Sequence, residues 1–200
     1  MQQLLGACAL ALVWCSLPAG AQVIEFESNG LKYQTLTRSG VTVMFAPMNS
    51  RLRAYAIIQV SVANGSPGPY VIRPEDFMFF RSDGVVVRAA TAASVVVMLS
   101  HTGGGSDVLK LIQAYEESLY GVPKMRSTNG YEQRRQAALM AGPNKMRAAA
   151  AASAVAFVQT KLIPGQSTDG AVFFPTDGKP LGPGRLVVKT NTDTFEFKAE

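Results

Sequence analysis

The chain has 200 residues, 48% of them hydrophobic and 16% charged, with a formal net charge of +5. Those figures exclude disorder over the whole length and allow one ordinary domain with room for an insertion. Both cysteines, Cys8 and Cys15, precede Gln22, so cysteine chemistry is confined to the N-terminal segment.

From Met1 to Val23 there is no charged residue, and Leu4 to Leu17 forms an apolar run followed by Pro18-Ala19-Gly20-Ala21. Ala19 and Ala21 have the spacing a signal peptidase pocket accepts. Residues 1–21 therefore read as a signal peptide cleaved before Gln22, which makes the protein secreted or periplasmic. The start Met1-Gln2-Gln3 lacks the usual positive charge. An uncleaved, membrane-anchored form is the alternative, although roughly 17 apolar residues is the lower limit for spanning. Leu5-Gly6-Ala7-Cys8 resembles a lipoprotein site, but its cysteine comes too early in the run. After cleavage no cysteine remains, so disulfides, thiolate metal ligands and cysteine nucleophiles are all excluded. A disulfide-free secreted domain of about 180 residues is more usual in a bacterial envelope than in animal secretions.

Strand texture comes first in the mature chain. Val23 to Ser28 and Leu31 to Thr37 flank an Asn29-Gly30 turn, and Val41, Val43 and Phe45 resume the period of two until Pro47 and Asn49-Ser50 end it. In Leu52 to Val62, residues Ala54, Ala56, Ile58, Val60 and Val62 line one face and Tyr55, Ile57, Gln59 and Ser61 the other. A strand apolar on one side and half-apolar on the other belongs in the middle of a sheet. Asn64 to Pro69 is loop, and Tyr70-Val71-Ile72 is a short strand. Phe77 to Phe80, Ser82-Asp83-Gly84 and Val85-Val86-Val87 make a β-hairpin.

From Ala89 to Lys161 alanine dominates and the period lengthens. Ala92 to Leu99 carries both helix and strand signals and is assigned as helix. After Gly103-Gly104-Gly105, Ser106 or Asp107 can cap a helix whose face is Val108, Leu111, Ile112, Tyr115 and Leu119. A third helix is expected from Asn129, with Glu132 in capping-box position, to Gly142-Pro143. A fourth is expected over 145–160. Strand texture returns with Ala171 to Phe174, Leu186 to Val188 and Phe195 to Phe197, separated by turns that include Asp169-Gly170 and Asp177-Gly178. The order strands, helices, strands predicts a mainly β protein. The expected architecture is an antiparallel sandwich of about seven strands, spanning 22–200, with three or four helices inserted at 89–161 and held outside it.

Several segments occur in a familiar order: the Asn64 loop, Tyr70-Val71-Ile72-Arg73-Pro74-Glu75-Asp76-Phe77, Ser82-Asp83-Gly84, Leu162-Ile163-Pro164-Gly165-Gln166-Ser167 and Gly170-Ala171-Val172-Phe173-Phe174. This pattern resembles the telokin-like, immunoglobulin-type β-sandwich domains of bacterial secreted proteins and lipoproteins. It covers about half the mature chain, roughly Ser50 to Ser82 and Leu162 to Lys198, and it consists largely of turn chemistry. The resemblance implies an immunoglobulin-like sandwich and carries over no catalytic residue. The helical block departs from the simplest form of the pattern.

Catalytic and metal chemistry find little support. His101 is the single histidine, and no G-x-S-x-G elbow exists. One histidine without cysteine leaves zinc only carboxylates, and no calcium-loop pattern occurs. The Asp-Gly pairs at Asp83, Asp169 and Asp177 read as hairpin turns. Glu116 and Glu117 point about 100° apart on a helix, which suits a solvated face. Gly103-Gly104-Gly105-Ser106 could hold an anion at a helix N-terminus, but no lysine follows as in a P-loop. No catalytic residue, metal ligand or cofactor is assigned.

Charge distribution is the remaining clue. Between Ala89 and Lys161 there are eight Lys or Arg against four Asp or Glu, which leaves 11 against 10 elsewhere. The excess gathers at Lys124, Arg126, Arg134, Arg135, Lys145 and Arg147. A solvated helix face accounts for this, and so does a basic surface for a protein partner or an anionic membrane or cell-wall surface. Nucleic acid is not expected outside the cytoplasm. The favoured expectation is a non-enzymatic binding protein of the envelope. The alternatives are a periplasmic enzyme with a site between insert and sandwich, using carboxylates with Tyr115 or His101, and a structural subunit that pairs edge strands.

Overall fold

The computed structural model describes residues 22–28, 30–120, 131–140 and 142–199. The expected signal peptide, the Asn29 turn residue and the expected helix start at Asn129 lie outside them. Eleven strands and four α-helices occur among the described residues. The first strands are β1 (Ile24–Ser28), β2 (Leu31–Arg38), β3 (Val41–Leu52), β4 (Tyr55–Asn64), β5 (Tyr70–Ile72), β6 (Phe77–Arg81) and β7 (Val86–Arg88). Helices α1 (Ala92–Thr102), α2 (Gly105–Tyr120), α3 (Tyr131–Met140) and α4 (Asn144–Val155) come next. Strands β8 (Thr160–Leu162), β9 (Ser167–Pro175), β10 (Gly184–Lys189) and β11 (Thr194–Ala199) complete the order. The protein is mainly β, and every strand ladder among the described residues is antiparallel. The count exceeds the expected seven: nine strands make up two main sheets, and β5 and β8 form a separate two-stranded ladder.

Strands β1-β2-β3-β4-β9 form one sheet and β11-β10-β6-β7 another. The early and late strands meet at the β4–β9 ladder, with Val60 opposite Gly170, and at the β6–β10 ladder, with Phe79 opposite Leu186. Between the two sheets lies one core, built from Val43, Phe45, Ile58, Val60, Phe77, Phe79, Phe174, Leu186 and Phe197 among others. Edge-to-face rings lock it across the gap: Phe45 on Phe197 at 5.0 Å and Phe79 on Phe174 at 6.3 Å between centroids.

A second core lies on the opposite face of the larger sheet. Tyr33, Met44, Ala46, Ile57 and Phe173 meet Val95 and Leu99 of α1, Val108 and Leu111 of α2, and the alanines of α4. The insertion is therefore a covering layer and does not stand outside the body as expected. Leu99 and Leu111 are as fully buried as the strand residues. The alanine run explains how α4 fits: Ala148, Ala149, Ala151, Ala152 and Ala154 are all buried, and such small side chains let neighbouring helices approach on more than one side. Both faces of β4 are buried, as its sequence predicts.

Four local expectations need correction. Strand β3 runs through Pro47 and Asn49, because β2 leaves it at Phe45 and no N–H is needed from Pro47 on that side. The 52–62 segment is broken at Arg53-Ala54, where the chain turns from β3 into β4 with Arg53 at φ +52°. Helix α4 ends at Val155, five residues short of the expected end. The Phe157 N–H then donates to Ala171 O at 2.8 Å along the outer edge of β9. Asp169-Gly170 is no turn but the middle of β9. A Cβ on Gly170 would sit 2.7 Å from Phe157 Cα, so its glycine serves a close crossing. The other two Asp-Gly pairs do turn, with Gly84 at φ +87° and Gly178 at +78°. The ambiguous 92–99 segment is helical, capped by Thr91, whose Oγ1 accepts the Ser94 N–H.

Candidate functional site

Beside the shared apolar core, an ion pair joins the helical layer to the turn between β3 and β4. Nε and Nη2 of Arg53 both donate to Asp107 Oδ2, at 3.0 and 2.7 Å, and the Gly104 N–H donates to the same oxygen at 2.8 Å. Asp107 is 3% exposed. The glycine loop before α2 is thus already served by the chain's own carboxylate, in the first turn where the helix dipole favours negative charge. That arrangement argues against an external anion in this loop.

Of the expected basic residues, Arg134 and Arg135 lie on α3 and Lys145 and Arg147 on α4. Lys124 and Arg126 lie outside the described residues, as does the side chain of Arg135. Lys145 is exposed in the first turn of α4. Arg134 and Arg147 are half-buried, each with an Nε that has no hydrogen-bond partner among the described residues. An Nη2 of Arg147 donates to Asn144 Oδ1. Two methionines bracket the turn between the helices: Met140 is 88% exposed and Met146 54%. From Gln133 to Thr168 the sequence contains no Asp or Glu. Charge patterning finds the cations but not the methionines. Their signal was the placement of two apolar residues beside Gly142-Pro143.

Of the residues offered for catalysis, the two with described side chains sit on different helices. His101 is exposed in the last turn of α1, and Glu116 is half-buried on α2. The side chains of Tyr115 and Glu117 lie outside the described residues. Among the described residues no three His, Cys, Asp or Glu side chains come together.

A cleft of about 310 Å³ opens at one end of the two-sheet core. Its floor is Phe45, Ile58, Phe79 and Leu186, each at most 3% exposed. It exists for two local reasons. The β3–β4 ladder slips between Pro47 and Arg51, so that β3 bows away from β4. The connection into β10 then carries Pro180, Leu181, Gly182 and Pro183 across the opening. Asn49 and Arg51 stand at the mouth, and Arg51 Nη1 donates to Gly178 O at 2.8 Å. Reading Pro47 and Asn49-Ser50 as the end of a strand hid this site, since its walls come from an irregularity inside that strand.

No protein-family model matches the chain, and no curated protein is significantly similar to it. Among solved structures, it can be superposed on the yjhA protein from Bacillus subtilis with a TM-score of 0.37 and 11% identity, over 88% of this chain and 96% of that one. That likeness is too loose to extend to fold or activity.

Proposed function

We propose that this chain is a secreted or envelope-associated binding protein without catalytic activity. In this reading its two-sheet body is an immunoglobulin-like sandwich, and its α3–α4 hairpin meets an anionic membrane surface. The observation that carries the proposal is the pairing of exposed Met140 and Met146 with Lys145 on a stretch free of acidic residues from Gln133 to Thr168. Unbranched methionines can enter the headgroup boundary while cations engage anionic lipids, each cation contributing about 1 kcal/mol near the surface. No described helix is long and apolar enough to cross a bilayer, so the hairpin would lie along the surface. The two stacked antiparallel sheets and the Asn64 and Gly165 turns support the immunoglobulin-like assignment.

Co-sedimentation of the protein with phosphatidylglycerol-containing vesicles in low salt tests the proposal, with pure phosphatidylcholine vesicles alongside. Binding is expected to the anionic vesicles only, and to weaken when Arg134, Arg135, Lys145 and Arg147 are changed to Glu. Arg134 and Arg147 are half-buried, so a second variant, Met140→Ser with Met146→Ser and Lys145→Glu, uses only exposed positions. Retained binding by both variants, or no binding by the parent, defeats the proposal.

A specific feature favours a second reading, edge-strand pairing. The edge strand β1 is exposed, with Ile24 61% and Phe26 39% accessible. Self-pairing centred on Phe26 would set Glu25 opposite a second copy's Glu27, which disfavours a symmetric dimer. A different chain would have to supply the strand. Size-exclusion with light scattering of the protein alone is expected to show a monomer.

A further inference from the structure

We infer that the cleft at the open end of the two sheets is a binding site for a medium-chain fatty acid, with its acyl chain on the aromatic floor and its carboxylate at Arg51. This site lies in the inter-sheet core, apart from the α3–α4 hairpin, and stands or falls independently of the membrane proposal.

Three observations lead to that occupant. The hollow is roofed by a proline-rich segment and floored by core residues, Phe45, Ile58, Phe79 and Leu186. The buried floor is wholly apolar, so the part of a ligand that reaches it is favoured to be apolar, while the rim, with Asn49 and Arg51, offers polar groups. Its volume of about 310 Å³ is at the small end of ligand sites. With a methylene close in size to a water molecule, that room holds a chain of about eight to ten carbons. Finally, Arg51 is the one charged residue on the lining. Its Nη1 is tethered to Gly178 O, and that is its one bond among the described contacts. The tether holds the guanidinium at the mouth while leaving further donors for a carboxylate, which a planar fork suits well. A neutral ligand would leave these donors unused.

Titration of the protein with decanoate, followed by the methyl resonances of Ile58 and Leu186, tests the assignment. Saturable shifts of both are expected, with decanol binding at least about tenfold more weakly, the worth of one charge-assisted contact. Arg51→Gln should erase the preference for decanoate over decanol. Asn49→Trp, at an exposed position on the mouth, should weaken both ligands by closing the entrance. The inference is overturned if neither resonance shifts, if decanol binds as tightly as decanoate, or if Asn49→Trp leaves both affinities unchanged. Tighter binding of a short apolar peptide through its C-terminal carboxylate would overturn the acyl assignment.

Discussion

Arg53 and Asp107, 54 residues apart, hold one another across the junction of sheet and helices. Both donors of Arg53 converge on a single oxygen of a carboxylate that is almost wholly buried. The arginine backbone sits at φ +52°, a conformation a non-glycine residue rarely adopts. Such a backbone persists when its surroundings hold it, and here the ion pair does so. Arg53→Ala should destabilise the protein by about 2 kcal/mol, because Asp107 stays buried with a single described N–H partner. Arg53→Gly loses the same pair but relieves the backbone, and should be about 1 kcal/mol less damaging than Arg53→Ala. Urea denaturation of the two variants checks this, and equal midpoints would show that the left-handed turn stores no strain.

Gly170 offers a sharper steric test. An added Cβ would stand 2.7 Å from both Cα and N of Phe157, and backbone cannot swing aside as a side-chain tip can. Gly170→Ala is expected to cost about 2 to 3 kcal/mol by overpacking. Gly165→Ala supplies the comparison: its Cβ would meet nothing within 4 Å, and its φ of +81° is the sole source of penalty. A smaller loss in thermal midpoint for Gly170→Ala than for Gly165→Ala would contradict the crossing of β9 by the segment after α4.

Asn64 pins its own loop with both ends of one amide and reaches the end of β8 with its nitrogen. Its Nδ2 donates to Gly68 O at 2.8 Å and Leu162 O at 3.0 Å, while its Oδ1 accepts from Ser66 N and Oγ. The side chain is buried, so these groups lose their partners together on truncation. Asn64→Ala should cost about 3 kcal/mol, and Asn64→Asp should not rescue it at neutral pH, since carboxylate oxygens cannot donate to the two carbonyls. Chemical denaturation that finds Asn64→Asp equal to the parent would refute the assigned amide orientation.

Asp76 makes stability depend on pH. Its Oδ2 accepts the Arg73 N–H at 2.8 Å, yet burial dominates and raises its pKa above the ordinary 3.8. A raised carboxyl pKa means that folding favours the protonated form. The contribution is fully present below the unfolded value of 3.8 and is lost as pH rises through the folded value. Asp76→Asn keeps an acceptor for Arg73 and removes the charge. At neutral pH it should therefore match or exceed the parent in stability, and the difference should shrink as pH falls through the raised folded value towards 3.8, with no further change below that. A pH series of thermal midpoints showing the parent ahead at neutrality would reverse this sign.

Local periodicity and turn chemistry account for what could be read directly from the residues. The alternation through Ile58, Val60 and Val62, with Ile57 on the other side, leaves a strand nowhere to go but the middle of a sheet. The spacing of Val108, Leu111 and Ile112 dictates a helix with one buried face. The candidate surface was legible only in part, since charge counts show where cations gather but not which side chains turn inward, as Arg134 and Arg147 do.

Where tertiary structure decided, the deciding partner was far away in the chain. Asp169-Gly170 has the chemistry of a turn, and it became strand because Val60 and Ser61 pair with it and Phe157 passes over the glycine. Pro47 became strand because β2 stops short of it, and the slip beyond it opened the apolar cleft. Arg53 took up a left-handed turn beside a carboxylate from a different layer. A residue's own neighbours fix its preferences, but free energy is settled by burial and by pairing, and both are set by segments that meet only once the chain has folded.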